Sequence, residues 1–214
     1  MLVMLSRFCS TSTPGAPSSC VDLSRICPVV LVGGRSRRFG RDKLLEPLGD
    51  GRLLVSVPIT ALRAVFGSRV AVVGACNRQV AALADELIPD PYPGQGPGGG
   101  ILAALEYAQS PVFVLSGDLA NINADVVRAV AVGFLERPNV WASLAWSDRL
   151  EPCIGVYAPS AISSLRTVLE TGAPLRSAIP GEHLRTISVD SIYAHNVNRP
   201  GDLPGQRDSD HRGV

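Results

Sequence analysis

Pro28-Val-Val-Leu-Val-Gly-Gly-Arg-Ser-Arg-Arg-Phe-Gly-Arg-Asp-Lys43 decides how the whole chain is read. Pro28 to Val32 is a short, β-branched apolar run that stops abruptly at Gly33-Gly34, the pattern of a strand buried on both faces. A loop rich in glycine and arginine follows as far as Lys43. Gly33 and Gly34 carry no Cβ, so the backbone can turn sharply and lie against a ligand. The N–H groups that such a turn exposes make a nest for phosphate oxygens. Arg38 offers a bidentate fork and Lys43 a point charge, two ways of neutralising a polyphosphate. The string is not a dinucleotide fingerprint, because G-x-G-x-x-G is missing, nor a P-loop, because the G-K-S/T ending is missing. A solvated basic turn would explain two glycines alone. It explains poorly two glycines, several arginines and a lysine behind one buried strand. Arg35 or Arg41 can still be a plain solvated charge.

Outward from this loop, the spacing of apolar residues predicts a helix over 53–66 with Gly67 as its stop, and a buried strand over 69–73. Asn77 is placed to cap a helix reaching about Leu87. Residues 90–100, Asp-Pro-Tyr-Pro-Gly-Gln-Gly-Pro-Gly-Gly-Gly, are too rich in glycine and proline for helix or strand and read as a loop. A helix is expected over 101–108 and a strand over 111–115. Asn123 caps a helix to about Glu136, with Asp125 in its first turn. Strands follow over 141–146 and 154–157, then a helix capped by Ser160 to about Glu170, then strands over 184–189 and 193–197. Strands alternating with helices imply an α/β fold, a three-layer α/β/α sandwich around a mainly parallel, Rossmann-like sheet. Ligands of such sheets sit beyond the carboxyl ends of the strands. The domain is read as 28–203. Residues 1–27, which include the Ser/Thr/Pro-rich stretch 10–20, read as a disordered extension, and 204–214 as a disordered charged tail.

Composition limits the partners. The 214 residues are 46% hydrophobic and 18% charged with net charge +1, so nothing indicates bulk attraction to nucleic acid or to a membrane. No run reaches the ~18–20 apolar residues of a membrane span, and the start lacks the basic and apolar regions of a signal peptide. Cys9, Cys20, Cys27, Cys76 and Cys153 are odd in number with no metal-ligand spacing. Reduced thiols in a cytoplasmic protein are the simpler reading.

Asp118 ends Ser116-Gly-Asp at the close of the strand over 111–115. A carboxylate there suits Mg²⁺, which takes one or two protein carboxylates and completes its octahedron with phosphate oxygens and water. Such an ion would polarise an α-phosphoryl group and stabilise departing pyrophosphate. An aspartate in this position is by itself more often a turn or cap residue.

Leu31 to Lys43 resembles the signature loop of the MobA family, the molybdenum cofactor guanylyltransferases. That signature reads L-A-G-G-x-S-x-R-(M/F)-G-x-D-K, and this chain departs from it only at Val32. Related sugar-phosphate and terpenoid-phosphate nucleotidyltransferases usually begin L-A-A-G, so the double glycine leans toward the guanylyl branch. The resemblance implies the nucleotide-diphospho-sugar transferase type of sheet. It also implies magnesium-dependent transfer of GMP from GTP to the phosphate of molybdenum-molybdopterin, with release of pyrophosphate. Leu31, Gly33 and Gly34 are then expected at the nucleotide, Lys43 and Arg38 on its phosphates, and Asp118 on the metal. Asp118 matches the aspartate of a C-D-x-P-like stretch, with Gly117 and Ala120 as departures.

Asp90 to Ile101 is similar to D-x-x-x-x-x-G-P-L-A-G-(I/M), which brings Asp90 and Gly96 to the nucleotide. A carboxylate suits the N1–H and 2-amino donors of guanine. Gly98 and Gly99 replace leucine and alanine there, so a looser loop is expected. Where many members have asparagine after the second strand, this chain has Gly74, and Asn77 is read as a helix cap. On the acceptor side, Glu151-Pro152 precedes a strand. Gly172-Ala-Pro-Leu-Arg176-Ser suggests that Arg176 meets the acceptor's phosphate, although an ordinary surface arginine explains it equally well. Asn196-Val-Asn198-Arg-Pro-Gly-Asp202-Leu is similar to N-(I/V)-N-T-P-E-(D/E)-L and places Asn198 near metal or acceptor, with Arg199 in place of threonine. His183 and His195 are not required and read as structural or surface residues. The same fold could serve cytidylyl transfer to this acceptor, guanylyl transfer to another phosphorylated acceptor, or nucleotide binding without catalysis. Transient contact with cofactor-synthesis proteins or molybdoenzymes would fit such a product.

Overall fold

The computed structural model describes residues 22–33, 41–67 and 69–204. The expected nucleotide contacts Gly34 and Arg38 therefore lie outside the described residues, as do 1–21 and 205–214. The strands are β1 (Cys27–Leu31), β2 (Ala71–Val73), β3 (Glu86–Ile88), β4 (Val112–Ser116), β5 (Ala142–Trp146), β6 (Leu150–Tyr157) and β7 (Leu184–Ser188). The helices are α1 (Ser56–Phe66), α2 (Arg78–Ala81), α3 (Gly96–Ala108), α4 (Ala124–Leu135) and α5 (Ile162–Thr171). Among the described residues the strands form one sheet in the order β3-β2-β1-β4-β6-β5-β7. β6 runs antiparallel to its neighbours β4 and β5, and every other pairing is parallel.

Successive side chains of a strand point to opposite faces, so a sheet covered on both sides needs unbroken apolar runs. The first strand shows this directly. Val30 packs with Phe113 and Leu115 beneath Leu62 of α1 and Val127 of α4. Val29 packs with Val112 and Val114 beneath Leu102 of α3 and Leu165 of α5. Each such buried side chain contributes about 1.5–3 kcal/mol relative to exposure. The three-layer α/β/α sandwich with a mainly parallel sheet is therefore the observed fold.

Several boundaries differ from the sequence reading. Ordered backbone begins ahead of Pro28: Asp22 caps a 3₁₀ turn at Leu23–Arg25, and the Cys27 N–H donates to the Pro111 carbonyl at 2.8 Å. The helix after Asn77 ends at Ala81, because the chain must turn to place the edge strand Glu86–Ile88 beside β2. Ser160 does not cap α5. It lies inside a 3₁₀ turn, Pro159–Ala161, that runs straight into the helix. Residues 193–197 form no strand of the sheet: Ser191–Ala194 is a 3₁₀ turn, and Asn196 makes a single bridge to Leu119.

The largest correction concerns Gly96-Pro-Gly-Gly-Gly100, read as loop but observed as the first turn of α3. Pro97 stands at the helix start, where its missing N–H costs nothing. Packing holds the glycines. An added Cβ would meet Leu169 Cδ2 at 3.0 Å from Gly98, Tyr92 Cβ at 2.9 Å from Gly99, and Leu31 Cδ2 at 2.9 Å from Gly100. The segment is therefore tightly seated rather than loose, because Leu169, Leu175 and Tyr92 occupy the space that larger side chains would take.

Candidate active site

Parallel register sets the ends of the central strands side by side. Leu31 pairs with Val73 of β2 and with Ser116 of β4, and Val73 pairs with Ile88 of β3. The residues that follow these ends therefore share one rim: Val32-Gly33, Gly74, Asp90 and Gly117-Asp118. Two hydrogen bonds extend the pairing past the strands, from Val32 N–H to the Val73 carbonyl and from Gly117 N–H to the Leu31 carbonyl, both 3.0 Å. Gly33 lies directly against Gly74, whose φ is +107°. A Cβ at Gly74 would stand 2.7 Å from Gly33 Cα, so this close approach requires glycine.

Beyond the loop, Lys43–Leu45 forms a 3₁₀ turn capped by Asp42, whose carboxylate accepts from Leu44 N–H. This turn points the Lys43 side chain at the rim. Its ammonium forms an ion pair with Asp118 Oδ2 and donates to the Val197 carbonyl at 3.0 Å. The Ser116 hydroxyl donates to Asp118 Oδ1 at 2.6 Å, fixing the carboxylate from its other side. The lysine and aspartate side chains are 19% and 13% exposed, so solvent screens the pair weakly. The Asp118 carbonyl accepts from Val197 N–H at 2.9 Å, and the adjoining Leu119–Asn196 bridge straps the C-terminal segment across this edge.

Neighbouring carboxylates have their own partners. Arg41, open to being a solvated charge, grips buried Glu46 through two nitrogens, with Nη2 to Oε2 at 2.6 Å. Its hydrogen bond holds the Glu46 carboxyl below the usual range against the opposing effect of burial. Arg41 thus anchors the exit of the glycine-arginine loop just before Lys43. Glu151 is buried inside β6 rather than ahead of it, and accepts from Ser147 Oγ and Arg149 Nε. Burial, then the charges of Asp118 and Glu151, push the Cys153 thiol up to about 12.

The remaining expected residues are distributed around this centre. Asp90 is partly buried, and its Oδ1 accepts from Tyr92 N–H at 2.8 Å. Gly96 opens α3 and is exposed, with φ +66°. Arg176 is exposed on a 3₁₀ turn, Leu175–Ser177, whose Leu175 packs toward Gly98. Asn198 is exposed beside Val197, and its N–H donates to Asp202 at 2.9 Å. Among the described residues no hydrogen bond joins Asp90, Gly96, Arg176 or Asn198 to the Lys43–Asp118 pair. Asn77 caps α2 by accepting from Gln79 N–H. His183 stacks on Trp141 with centroids 4.2 Å apart, and His195 is exposed.

Sequence reasoning missed Ser116, Glu46, the Val197 carbonyl and Tyr92. A hydroxyl two residues before Asp118, and a glutamate inside the apolar run Leu44-Leu-Glu-Pro-Leu48, were the local signals for the first two. No group of three or more His, Cys, Asp or Glu able to hold a metal occurs among the described residues. The Asp118 carboxylate, whose present partner is a cation, instead fits an ion that takes one protein carboxylate and is completed by substrate phosphates and water. Among the described residues no helix is long and apolar enough to cross a membrane.

The fold is shared with solved structures. Molybdopterin-guanine dinucleotide biosynthesis protein A from Archaeoglobus fulgidus superposes with TM-score 0.66 at 24% identity, over 83% of this chain and 95% of that one. Fold and site together define a nucleotidyltransferase. The MobA-like NTP transferase domain matches residues 28–186, and the chain belongs to that family. A probable molybdenum cofactor guanylyltransferase of Rhodopirellula baltica is 30% identical, across 85% of this chain and 91% of its own length. A molybdenum cofactor guanylyltransferase of Rhizobium johnstonii is 32% identical, across 86% and 92%.

Proposed function

We propose that the chain transfers GMP from GTP to the phosphate of molybdenum-molybdopterin, releasing pyrophosphate in a magnesium-dependent step in the cytoplasm. The names of relatives about 30% identical over most of their length support this acceptor. The observation that carries the chemistry is the meeting of Lys43 with Asp118 at the strand ends, beside Gly33.

The acceptor's phosphate monoester is already anionic near neutral pH, so its oxygen can attack the α-phosphorus without a general base. What the protein must supply is alignment and charge neutralisation. The backbone of Leu31, Gly33 and Gly34 lines the nucleotide, and Gly96 at the start of α3 leaves room for its approach. Lys43 balances phosphate charge with Arg38. Asp118 and substrate phosphates would hold magnesium, which when bound supplies neutralising charge on departing pyrophosphate. Ser116 orients the Asp118 carboxylate. The second oxygen of Asp90 is left to accept from guanine while the first is held by Tyr92 N–H. Arg176 and Asn198 serve the acceptor side.

The decisive measurement is pyrophosphate release from GTP, CTP, ATP and UTP, with and without molybdenum-molybdopterin and Mg²⁺. GTP turnover that needs both is expected, and Asp118→Ala should lower it about a hundredfold or more while leaving the circular dichroism unchanged. A preference for CTP would move the base assignment. Tight GTP binding without any pyrophosphate release would replace catalysis by regulation, and wild-type turnover in the alanine variant would remove the metal assignment.

A further inference from the structure

Tyr92 lies in the 90–95 segment, yet it is bonded to α3 and, through Glu106, linked to α5. Its phenol donates to the Glu106 carboxylate of α3, with Oη 2.9 Å from Oε1 and 2.8 Å from Oε2. Arg166 of α5 donates to the same carboxylate, Nη2 to Oε1 at 2.6 Å. At its other end the Tyr92 N–H holds Asp90 Oδ1, while its Cβ and carbonyl press on the Gly99 position. One residue therefore ties the Asp90 carboxylate, through its backbone N–H, to two helices on the same face of the sheet, through its phenol and Glu106.

We propose that Tyr92 is a positioning residue for base recognition, fixing the free oxygen of Asp90 through its link to Glu106 and Arg166. A carboxylate that reads two donors of one base must be held to within about 0.5 Å and 10–20°. Asp90 is only partly buried, and among the described residues its carboxylate accepts from the Tyr92 backbone N–H and from no side chain. Its orientation follows the Tyr92 backbone, and the ring cannot swing without breaking its bond to Glu106. The hydrogen bond to Glu106, then burial, raises the Tyr92 phenol above its ordinary value, so it remains a donor throughout the neutral range. Seating on Gly99 leaves no slack on the opposite side, because any Cβ there would collide.

This inference rests on Asp90 reading guanine, and the experiment separates the two. GTP is compared with inosine triphosphate, which lacks the 2-amino donor, in wild type, Tyr92→Phe, Glu106→Gln and Asp90→Asn. Tyr92→Phe keeps the ring and should raise KM for GTP and narrow the GTP-over-inosine preference, each by about five- to tenfold, with kcat unchanged. Glu106→Gln should move both quantities in the same direction but less. A merely structural role would lower kcat and thermal midpoint together and leave the preference intact, which would overturn the proposal. If Asp90→Asn removes the preference while Tyr92→Phe leaves it untouched, Tyr92 is not the positioning residue but Asp90 still reads the base. If Asp90→Asn changes nothing, the base-reading assignment itself fails and Tyr92 falls with it.

Discussion

Lys43 shows how a single residue can occupy two roles. Its ammonium neutralises Asp118 when no other cation is at the rim, and the same charge is the one proposed to meet the nucleotide's phosphates. A metal ion held at Asp118, as proposed, would compete with this lysine for one carboxylate oxygen. Lys43→Met should therefore lower nucleotidyl transfer about a hundredfold or more, while tightening Mg²⁺ binding to the nucleotide-free protein in a calorimetric titration. Unchanged or weaker metal binding in that variant would mean that the two cations do not contend for Asp118. Lys43 and Asp118 were both legible in the sequence, because each follows a short buried strand and has a charge suited to polyphosphate chemistry. The Val197 carbonyl was not legible. It reaches Lys43 across 154 positions, and no local pattern encodes a backbone oxygen's partner.

Among the elements, the sharpest constraint is the contact between the turns after β1 and β2. Gly74 combines left-handed backbone with a neighbour that leaves no room for a methyl group. Gly74→Ala should cost about 1–3 kcal/mol through the backbone alone, more once Gly33 is displaced. Denaturant midpoints should report the loss, and KM for GTP should rise because Gly33 moves with it. A variant as stable and as avid as wild type would show that the turn has slack. The strands of the sheet were readable from their apolar runs, apart from Glu86–Ile88, which is too short to leave a period. The first turn of α3 was hidden for another reason. Glycine's poor helix propensity pointed to loop, and tertiary packing against Leu169, Tyr92 and Leu31 overrode it.

For the molecule as a whole, the sheet carries two separate apolar cores, and the chain closes the first of them only near its end. Val197 and Leu203 are buried in the core beneath α1 and α4, at 0% and 4% exposure. Packing against this core therefore reaches Leu203 among the described residues. At the other end of the described residues, Ile26 is already buried. Leu203→Ala should cost roughly 2–5 kcal/mol, the range for a buried leucine, and lower the thermal midpoint accordingly. A midpoint unmoved by this change would make the last turn an appendage.

The one inverted strand has an effect on how such a site can diversify. Since β6 runs against its neighbours, its beginning lies where β4 and β5 end, with Leu150 opposite Trp146 and Ile154 opposite Leu115. The hairpin tip at 147–149 consequently overhangs the same edge as Asp118, and its Ser147 and Arg149 both hold Glu151 there. Insertions or exchanges at this tip would remodel one flank of the proposed phosphate site, while leaving the packed glycine turns on the other flank intact.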